Sequence, residues 1–452
     1  MPTATVCTDP FSGLALQTAA GLGLPSLALV LIPHPLGDLD PPGVQARAEE
    51  AVEDTIRVLT TPTLELQTQP ALAAEPASLC TDEVCALDEA TLRAVQGERL
   101  FVEDSVIGAA EASRLFYERG WTDGLPIIPP TRTRVAEMIG FLDLLPDEMI
   151  GQVPPRQGRA TMEKLAINAV MAGCRPEHFS VVVAATQGML EPSFGLAGVQ
   201  ATSGPHAPLI IVNGPMVRTL NINGEGNAFG PGKESNAVIG RALRLVLLNI
   251  GGGIPGTADK ATQGQPSKYT FCIAENEEAN PWEPLHVERG FDGATSTVTL
   301  VACHSPVNIH DIASTTARGI LTTAADTMAT LGGSKLYRSS GEVFLLLCPE
   351  HAAIIGRDGW TKDDIQHFLF EKARRPLCEV RQGGMYGPDV YWPRWLNTED
   401  EQAMVPLVER AKDIAILVVG GAGRHSSFLI TWSASWSVTR KISQPSNSRA
   451  AS

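Results

Sequence analysis

Short apolar runs alternate along the chain with amphipathic stretches, which predicts strands and helices in turn. The N-terminal segment predicts a strand at Thr3–Cys7, a helix at about 10–22, a strand at about 27–32 and a helix at about 42–59. Residues 28–32 form a continuous apolar run, as expected of a strand buried on both faces. Two such β-α units make half of a doubly wound sheet. Another part of the protein must therefore cover these strands.

The rest of the chain predicts a larger domain. Predicted helices cover about 105–119, 135–144, 160–172 and 176–190, and predicted strands cover 208–212, 297–302, 342–347 and 413–419. We find no internal repeat. The predicted fold is a partial doubly wound (Rossmann-like) α/β unit at 1–60, followed by a linker at 61–100. A large mixed α/β or α+β domain at 101–442 and a disordered tail at 443–452 complete it.

Length and charge narrow the possible functions. A chain of 452 residues is too long for one compact core, so at least two domains are expected. The net charge is −15, and no basic stripe is visible, which argues against nucleic-acid binding. The uncharged run 13–36 contains three prolines and lacks a positive n-region, so it predicts a buried helix and strand rather than a membrane segment. We expect a cytoplasmic protein whose eight cysteines are thiols.

Two strings near the N-terminus carry a family resemblance. Cys7-Thr-Asp-Pro-Phe11 and Ile32-Pro-His-Pro-Leu-Gly-Asp38 resemble linked segments of the UGSC (seleno)protein family. The second string also resembles the C-terminal end of glycine reductase selenoprotein B. The larger domain is similar to the partner domain of UGSC-type proteins at 168–177, 271–277 and 282–286.

The resemblance implies redox chemistry by a selenolate or thiolate, which a second thiol resolves and a partner then reduces. The likeness to selenoprotein B further implies cleavage of a bond at the carbon next to an electron-withdrawing group. In these families the redox motif precedes the strand with which this chain begins, and the motif itself is absent here. We therefore expect a UGSC or CGSC motif encoded upstream of Met1 or carried by a separate subunit, and the upstream DNA sequence distinguishes the two.

Candidate chemical groups in the N-terminal part are few. Cys7, at the carboxyl edge of its strand, and His34, on a loop between two prolines, could bind a ligand. The alternatives are a buried structural thiol and a loop that caps a helix. Cys80 and Cys85 could form a redox pair, although the acids beside them disfavour thiolates.

The larger domain offers thiols close to carboxylates. Cys174, beside Arg175 and just before a predicted helix, should have a lowered pKa, and Glu177 could move protons. The alternative is a buried cysteine at a corner between two helices. Cys272 and Glu275 lie close together in a strand-like segment and could act as a thiol and a carboxylate in one site. A carboxylate at a solvated strand edge explains Glu275 equally well.

A run of chemically active residues follows the predicted strand 297–302. Cys303, His304, His310 and Asp311 could hold a metal or act as acid and base. Their spacing matches none of the common zinc patterns, so a structural role stays open and the metal is unknown.

Two glycine-rich turns could bind an anion through backbone N–H groups. The first, 221–232, contains Glu225 and Asn227, and the second, after the predicted strand 413–419, contains Arg424 and His425. Neither has the spacing of a nucleotide-binding loop.

Three functions are compatible with these features. The leading hypothesis is a thiol- or selenol-dependent redox enzyme, or enzyme subunit, acting on a small anionic molecule. The first alternative is a metal-assisted lyase or hydrolase built on His304, His310 and Asp311, and the second is a non-catalytic structural subunit. No cofactor is firmly implied. Expected partners are a small-molecule substrate, a thiol reductant or redox protein, and further copies or other subunits of a complex, with no nucleic acid and no membrane.

Overall fold

The computed structural model describes residues 3–22, 24, 27–34, 39, 41–60, 106–331, 341–383, 396–432 and 435–443. It divides into two compact units, Met1–Gly120 and Trp121–Ser452. Helices and strands occur together in both, which confirms the predicted α/β class. The predicted linker, Cys80, Cys85 and the tail after residue 443 lie outside the described residues. Within the described ranges, no helix is long and apolar enough to cross a bilayer.

The first unit has the predicted order of elements, which are β1 (Thr5–Thr8), α1 (Ser12–Gly21), β2 (Leu29–Ile32) and α2 (Pro41–Thr60). It also contains α3 (Val106–Glu118), which was predicted as part of the larger domain. β1 and β2 are parallel neighbours. The expectation that the second strand is buried on both faces is wrong. Val30 and Ile32 are buried, but Leu31 is 36% exposed and Val6 in the neighbouring strand is 52% exposed. The alternate positions of a strand point to opposite faces, and only one face of this sheet is covered.

The second unit contains eleven helices and twelve strands within the described ranges. The helices are α4 (Arg132–Gly140), α5 (Met162–Ala172), α6 (Phe179–Met189), α7 (Leu196–Ala201), α8 (Met216–Thr219), α9 (Glu234–Asn249), α10 (Leu285–Glu288), α11 (Ala317–Met328), α12 (Pro349–Arg357), α13 (Lys362–Lys372) and α14 (Leu377–Gln382). The strands are β3 (Met149–Val153), β4 (Gly158–Thr161), β5 (Ala207–Asn213), β6 (Cys272–Ala274), β7 (Thr297–Cys303), β8 (Val307–His310), β9 (Val343–Leu347), β10 (Arg374–Pro376), β11 (Met404–Pro406), β12 (Ile414–Val418), β13 (His425–Leu429) and β14 (Val438–Lys441).

The predicted elements of this unit are confirmed apart from their ends. Residues 160–161, predicted as the start of a helix, belong to β4, and α5 begins at Met162 because the Thr161 side chain caps it by accepting from the Lys164 N–H. The predicted helix 135–144 instead spans Arg132–Gly140, with Thr131 as its N-cap.

Two four-stranded mixed sheets form the centre of this unit, in the orders β6-β5-β7-β14 and β12-β9-β13-β8. Their inner faces share one apolar core, to which Leu209, Val301, Phe344 and Leu417 contribute. Alternate residues of β9 face the other way, and Leu345 packs with α11, α12 and α13. Helices α6 and α9 pack against the first sheet. The order of layers is helices, sheet, sheet, helices, which explains why the central strands are apolar on both faces.

The two sheets repeat one pattern of strand directions. The first two strands of each sheet are parallel, β6 with β5 and β12 with β9. The next two strands in each sheet are antiparallel to their neighbours. The fourth strand of the first sheet, β14, comes from the far end of the chain. The two halves therefore share their strand directions without a repeated residue pattern in the sequence.

Candidate functional site

The carboxyl ends of the two parallel strand pairs meet at one place in the second unit. The Asn276 N–H after β6 donates to the Val418 carbonyl at the end of β12, at 2.8 Å. The Gly420 N–H donates to the Gly224 carbonyl, also at 2.8 Å. Ligands of α/β proteins bind at carboxyl edges of this kind. The side chains that follow β9 and β12 therefore lie where a ligand is expected to bind.

A thiol and an imidazole occupy this edge after β9. Cys348 follows the last residue of β9 and is the N-cap of α12, and His351 lies in the first turn of that helix. Pro349 fixes the start of the helix, since its ring sets φ for the first helical position and it has no N–H to satisfy. Cys348 is 2% exposed and His351 is fully buried.

Ser426 on β13 joins the two residues. The Cys348 N–H donates to the Ser426 Oγ at 3.0 Å, and the same oxygen lies 2.7 Å from His351 Nδ1. His351 Nε2 is 2.9 Å from the Asp311 carbonyl. A carbonyl can only accept, so Nε2 carries the hydrogen and Nδ1 of the neutral ring is free to take a proton. This is the arrangement of a nucleophile, a base and a group that orients the base.

The electrostatics of the pair favour a thiolate. Burial by itself would raise the pKa of Cys348, but hydrogen bonds with His351 and Ser426 and the charge of His351 lower that pKa below its usual value. Burial also favours a neutral His351, yet its contacts with Cys348 and the Asp311 carbonyl raise the pKa of the ring. The two shifts together favour transfer of the Cys348 proton to His351.

The thiols selected from the sequence behave in the opposite way. Cys174, Cys272 and Cys303 are buried, and burial raises the pKa of each far above its usual range. The expected lowered pKa of Cys174 is wrong. Its Sγ lies 3.4 Å from the Val238 carbonyl, and Arg175 forms ion pairs with Glu177 at 3.5 Å and Glu234 at 3.2 Å. Burial outweighs the nearby positive charge.

The glycine-rich turn after β12 lies beside the Cys348 pair. Val419 donates its N–H to the Leu347 carbonyl, and the Gly423 N–H donates to Glu350 Oε1 at 3.2 Å. The backbone N–H groups of Gly421 and Ala422 have no hydrogen-bond partner among the described residues. A carboxylate thus already rests on this turn, and two further donors remain available next to the helix that begins after Cys348.

The glycine-rich turn 221–232 contacts the glycine-rich turn after β12. Glu225 and Gly420 form an isolated bridge, and a Cβ on Gly421 would lie 2.7 Å from the Gly226 Cα. Asn227 does not reach toward a ligand. It adopts a positive φ of 62° and its side chain donates to the Pro231 carbonyl, so it shapes the turn.

Arg424 and His425 lie near Cys348 and His351, but both side chains already have partners within the protein. Arg424 donates to the carbonyls of Ile312 and Ser314, each at 3.0 Å. The His425 ring stacks on His310 with centroids 4.4 Å apart. The structure thus brings together two histidines that the sequence analysis considered separately, because they are opposite one another in strands β13 and β8.

The proposed metal ligands do not converge. His304 packs against His206, with ring centroids 4.2 Å apart, whereas His310 stacks on His425. The Asp311 carboxylate accepts from Ser314 and Thr323. Throughout the described ranges, no group of three histidines, cysteines or acids is placed to hold a metal ion.

A buried carboxylate cluster lies at the corresponding edge of the first sheet. Glu275 accepts from Asn213 at 2.7 Å, from Asn280 at 2.8 Å and from the Leu285 N–H at 2.9 Å. Glu277 also accepts from Asn213, at 2.8 Å. Burial raises the pKa of Glu275 to about 7, although the hydrogen bonds and Lys362 act against this rise. The donors surround Glu275 on every side, which suits a structural role.

Cys7 and His34 belong to the first unit. The Cys7 Sγ lies 3.4 Å from the Thr8 carbonyl, and burial together with Asp9 raises the pKa of this thiol. The His34 N–H donates to Asp9 Oδ1 at 3.0 Å, and the His34 ring packs 5.8 Å from Phe11. The loop that carries His34 is held by local contacts, and the Cys7 thiol in β1 is less acidic than usual.

Sequence reasoning missed Cys348, His351 and Ser426. The strand before Cys348 was predicted, and the string Cys-Pro-Glu-His that follows it contains a signal. A cysteine directly after a buried strand and before a proline is placed at the start of a helix, and a histidine three residues later reaches the same turn. Ser426 had no comparable signal, because it joins the site only through sheet pairing.

Comparison with known proteins gives one match. No curated protein and no solved structure matches the chain. The family match covers no residue of the second unit, and it does not bear on the resemblance to glycine reductase. Residues 1–61 match the model of the UGSC family, so the N-terminal segment of this chain is similar to that family.

Proposed function

We propose that the protein is a thiol-dependent redox enzyme in which Cys348 is the nucleophile and His351 is its proton partner. The observation that carries the proposal is the hydrogen bond between the buried Cys348 thiol and His351 at the carboxyl edge of β9. Ser426 holds both residues in place, because its Oγ accepts from the Cys348 backbone N–H at 3.0 Å and lies 2.7 Å from His351 Nδ1. Among the described thiols for which a pKa shift is resolved, Cys348 alone has a lowered pKa.

The proposed substrate is a small anion with a leaving group next to an electron-withdrawing group. The UGSC resemblance motivates this choice, and the free N–H groups of Gly421 and Ala422 support it because backbone donors beside a helix N-terminus attract anions. The Glu350 carboxylate accepts a hydrogen bond from the same turn, so a substrate carboxylate would compete with Glu350 for the donors of this turn.

The proposed reaction is a reductive cleavage driven by an external dithiol. The Cys348 thiolate attacks the substrate carbon, a carbon–sulfur bond forms, and the leaving group departs with its electron pair and takes a proton from His351. One thiol of the dithiol gives its proton to His351 and attacks the Cys348 sulfur, and the carbon departs as a carbanion that takes this proton from His351. The second thiol releases Cys348 and leaves a disulfide. Substrate is reduced and the dithiol is oxidised by two electrons.

Alkylation tests the nucleophile. Full-length protein is treated with iodoacetate or iodoacetamide between pH 5.5 and 9, and labelled cysteines are identified by peptide mass mapping. We expect Cys348 to be labelled at a lower pH than Cys7, because the pKa of the Cys348 thiol is lowered and that of the Cys7 thiol is raised, and we expect Cys348 to prefer iodoacetate. Labelling of Cys348 only above pH 8 would contradict the proposal.

Turnover tests the reaction. Chloroacetate and dithiothreitol are supplied, and acetate and chloride are measured. We expect product with the unmodified protein and with C378S, and none with C348S. Alkylation of Cys348 without release of acetate would keep the nucleophile and reject reductive cleavage.

A second candidate uses Ser426 as the nucleophile of a hydrolase, because its Oγ lies 2.7 Å from the base nitrogen of His351. A fluorophosphonate probe separates the two reactions. Labelling of Ser426, and its loss in H351Q, would favour the hydrolase.

A further inference from the structure

Two exposed histidines lie directly opposite one another where β8 pairs with β13. His310 of β8 and His425 of β13 are register partners, so both side chains leave the same face of the sheet. Their rings are stacked, with centroids 4.4 Å apart and planes inclined to one another by only 5°. Neither ring takes part in the arrangement of Cys348, His351 and Ser426, so the pair is a separate group of chemically active side chains.

The ring of His425 is oriented by a neighbour on β8. Its Nδ1 lies 3.0 Å from Asn308 Oδ1, an amide oxygen that can only accept. Nδ1 therefore carries the ring hydrogen, and Nε2 has the lone pair. A metal-binding histidine is typically held in this way, because a hydrogen bond from one ring nitrogen fixes the tautomer in which the other nitrogen can bind the metal.

The ring of His310 is not committed to another polar group. Among the described residues its ring nitrogens make no hydrogen bond, and the ring packs on His425. Both histidines are exposed, so their rings can tilt without disturbing the core. Two nitrogens that bind one ion at about 2.0–2.1 Å in adjacent positions lie about 3 Å apart, and a tilt of the stacked rings brings them to that separation.

The two imidazoles select a class of ion. Imidazole nitrogens suit Zn²⁺, Ni²⁺ and Cu²⁺, whereas Mg²⁺ and Ca²⁺ prefer oxygen ligands. Within the described part of the chain, no third histidine, cysteine or acid completes a set of three, so water must fill the other positions. The net charge of −15 also favours the approach of a cation.

We propose that His310 and His425 bind one divalent transition-metal ion between β8 and β13, with Asn308 fixing the tautomer of His425. β8 is the last strand of its sheet, so the ion links an edge strand to the strand beside it. This proposal rests on the two rings and the amide, and it does not depend on the proposed function.

The position of the ion has a consequence for the imidazole of His351. His310 directly precedes Asp311, whose carbonyl lies 2.9 Å from His351 Nε2. His425 directly precedes Ser426, whose Oγ lies 2.7 Å from His351 Nδ1. An ion between the two histidines therefore fixes both strand positions from which the His351 ring is held.

Modification of histidines by diethyl pyrocarbonate tests the proposal in the unaltered full-length protein. The rate at each histidine is followed by peptide mass mapping, with Zn²⁺ or Mg²⁺ added to metal-free protein. We expect Zn²⁺ to slow the modification of His310 and His425 by about 10-fold, because the ion occupies their free nitrogens, and Mg²⁺ to have no effect. Exposed His34 and His367 are the internal controls and should react at an unchanged rate. Equal protection of all four histidines, or no protection of His310 and His425 by Zn²⁺ in roughly 100-fold molar excess, would overturn the proposal.

Substitution of one histidine tests whether the two bind the same ion. In His310→Ala we expect protection of His425 to require at least about 10-fold more Zn²⁺, because the second nitrogen is lost. His367→Ala is the matched control and should leave the protection of His425 unchanged, since His367 is likewise exposed. Protection of His425 at the same Zn²⁺ concentration in His310→Ala and in the unaltered protein would contradict binding by the pair.

Two substitutions of Asn308 test the fixed tautomer. Asn308→Ala removes the acceptor for the His425 Nδ1 hydrogen, and we expect about 10-fold weaker Zn²⁺ binding, measured by the same protection of His425. Asn308→Asp keeps an oxygen that can only accept, so it should bind Zn²⁺ at least as well as the unaltered protein. Equal Zn²⁺ dependence in the two variants would contradict the role of Asn308.

Discussion

The two halves of the second unit share their strand directions but differ in the chemistry at their carboxyl edges. In the first half, Asn213 is the last residue of β5 and donates to Glu275, which follows β6. In the second half, Cys348 follows β9, and a glycine turn follows β12. The first edge is closed by hydrogen bonds, whereas the second contains Cys348, His351 and two backbone N–H groups that have no partner among the described residues. One architecture thus carries an edge held by hydrogen bonds and the edge that we propose to be reactive.

Among the substitutions that test this comparison, removal of the Glu275 carboxylate should cause the largest loss of stability. Glu275→Ala leaves the Asn280 side chain and the buried Leu285 N–H without their acceptor, and it leaves the Asn213 amide with Glu277 alone. We expect the free energy of unfolding to fall by about 3–5 kcal/mol. Glu277→Ala is the matched control, because Glu277 is partly exposed and makes fewer buried contacts. Denaturant unfolding followed by tryptophan fluorescence measures both. Similar losses in the two variants would show that the edge of the first half is not held by Glu275.

The pH dependence of stability sharpens the same point. The pKa of Glu275 is raised from 4.5 to about 7 on folding, so its contribution is fully present below pH 4.5 and is lost as the pH rises to 7. We expect a loss of about 3 kcal/mol across that window. Glu275→Gln cannot ionise and should flatten this component. Denaturant unfolding at pH 5 and pH 8 provides the measurement, and equal pH dependence in both proteins would contradict the assignment.

The close contact between Gly421 and Gly226 joins the two halves, and a methyl group added at Gly421 should disrupt it. A Cβ on Gly421 would lie 2.7 Å from the Gly226 Cα, so Gly421→Ala should lower the free energy of unfolding by about 1–3 kcal/mol. The same substitution at the facing glycine, Gly226, is the matched control. A Cβ on Gly226 would meet its nearest neighbour at 3.8 Å, which is an ordinary contact, so Gly226→Ala should be nearly neutral. Thermal or denaturant unfolding should separate the pair.

The elements of both halves were largely predictable from sequence. Strands such as β9 and β12 are continuous apolar runs because alternate residues pack into two different cores, and this pattern is visible without a structure. The pairing of β14 with β7 was not predictable, because it joins residues more than a hundred positions apart. The shared strand directions of the two sheets depend on this pairing, so they could not be predicted either.

The candidate site was less predictable than the fold. Sequence reasoning gave weight to Cys174 because of a nearby arginine and a helix start, but these did not reveal its complete burial. Cys348 also directly precedes a helix, although no arginine is adjacent to it, and the difference is that His351 and Ser426 supply polar partners inside the core. Ser426 reaches Cys348 through strand pairing, which local sequence patterns do not contain.

The smallest expected effect concerns Ser426 and tests how the reactive edge is held. Ser426→Ala removes the acceptor of the Cys348 N–H and the partner of His351 Nδ1, and we expect the free energy of unfolding to fall by about 1 kcal/mol. The pKa of Cys348 should rise toward its usual value, because one of the groups that lower it is lost. Titration of thiolate absorbance at 240 nm, with C348S as the baseline, measures that shift. Ser427→Ala, one position along the same strand, is the control and should leave the titration unchanged, since Ser427 faces the opposite side of the sheet. A titration of Ser426→Ala identical to that of the unaltered protein would mean that His351 and the helix N-terminus lower the pKa without Ser426, and that the reactive edge needs no residue from β13.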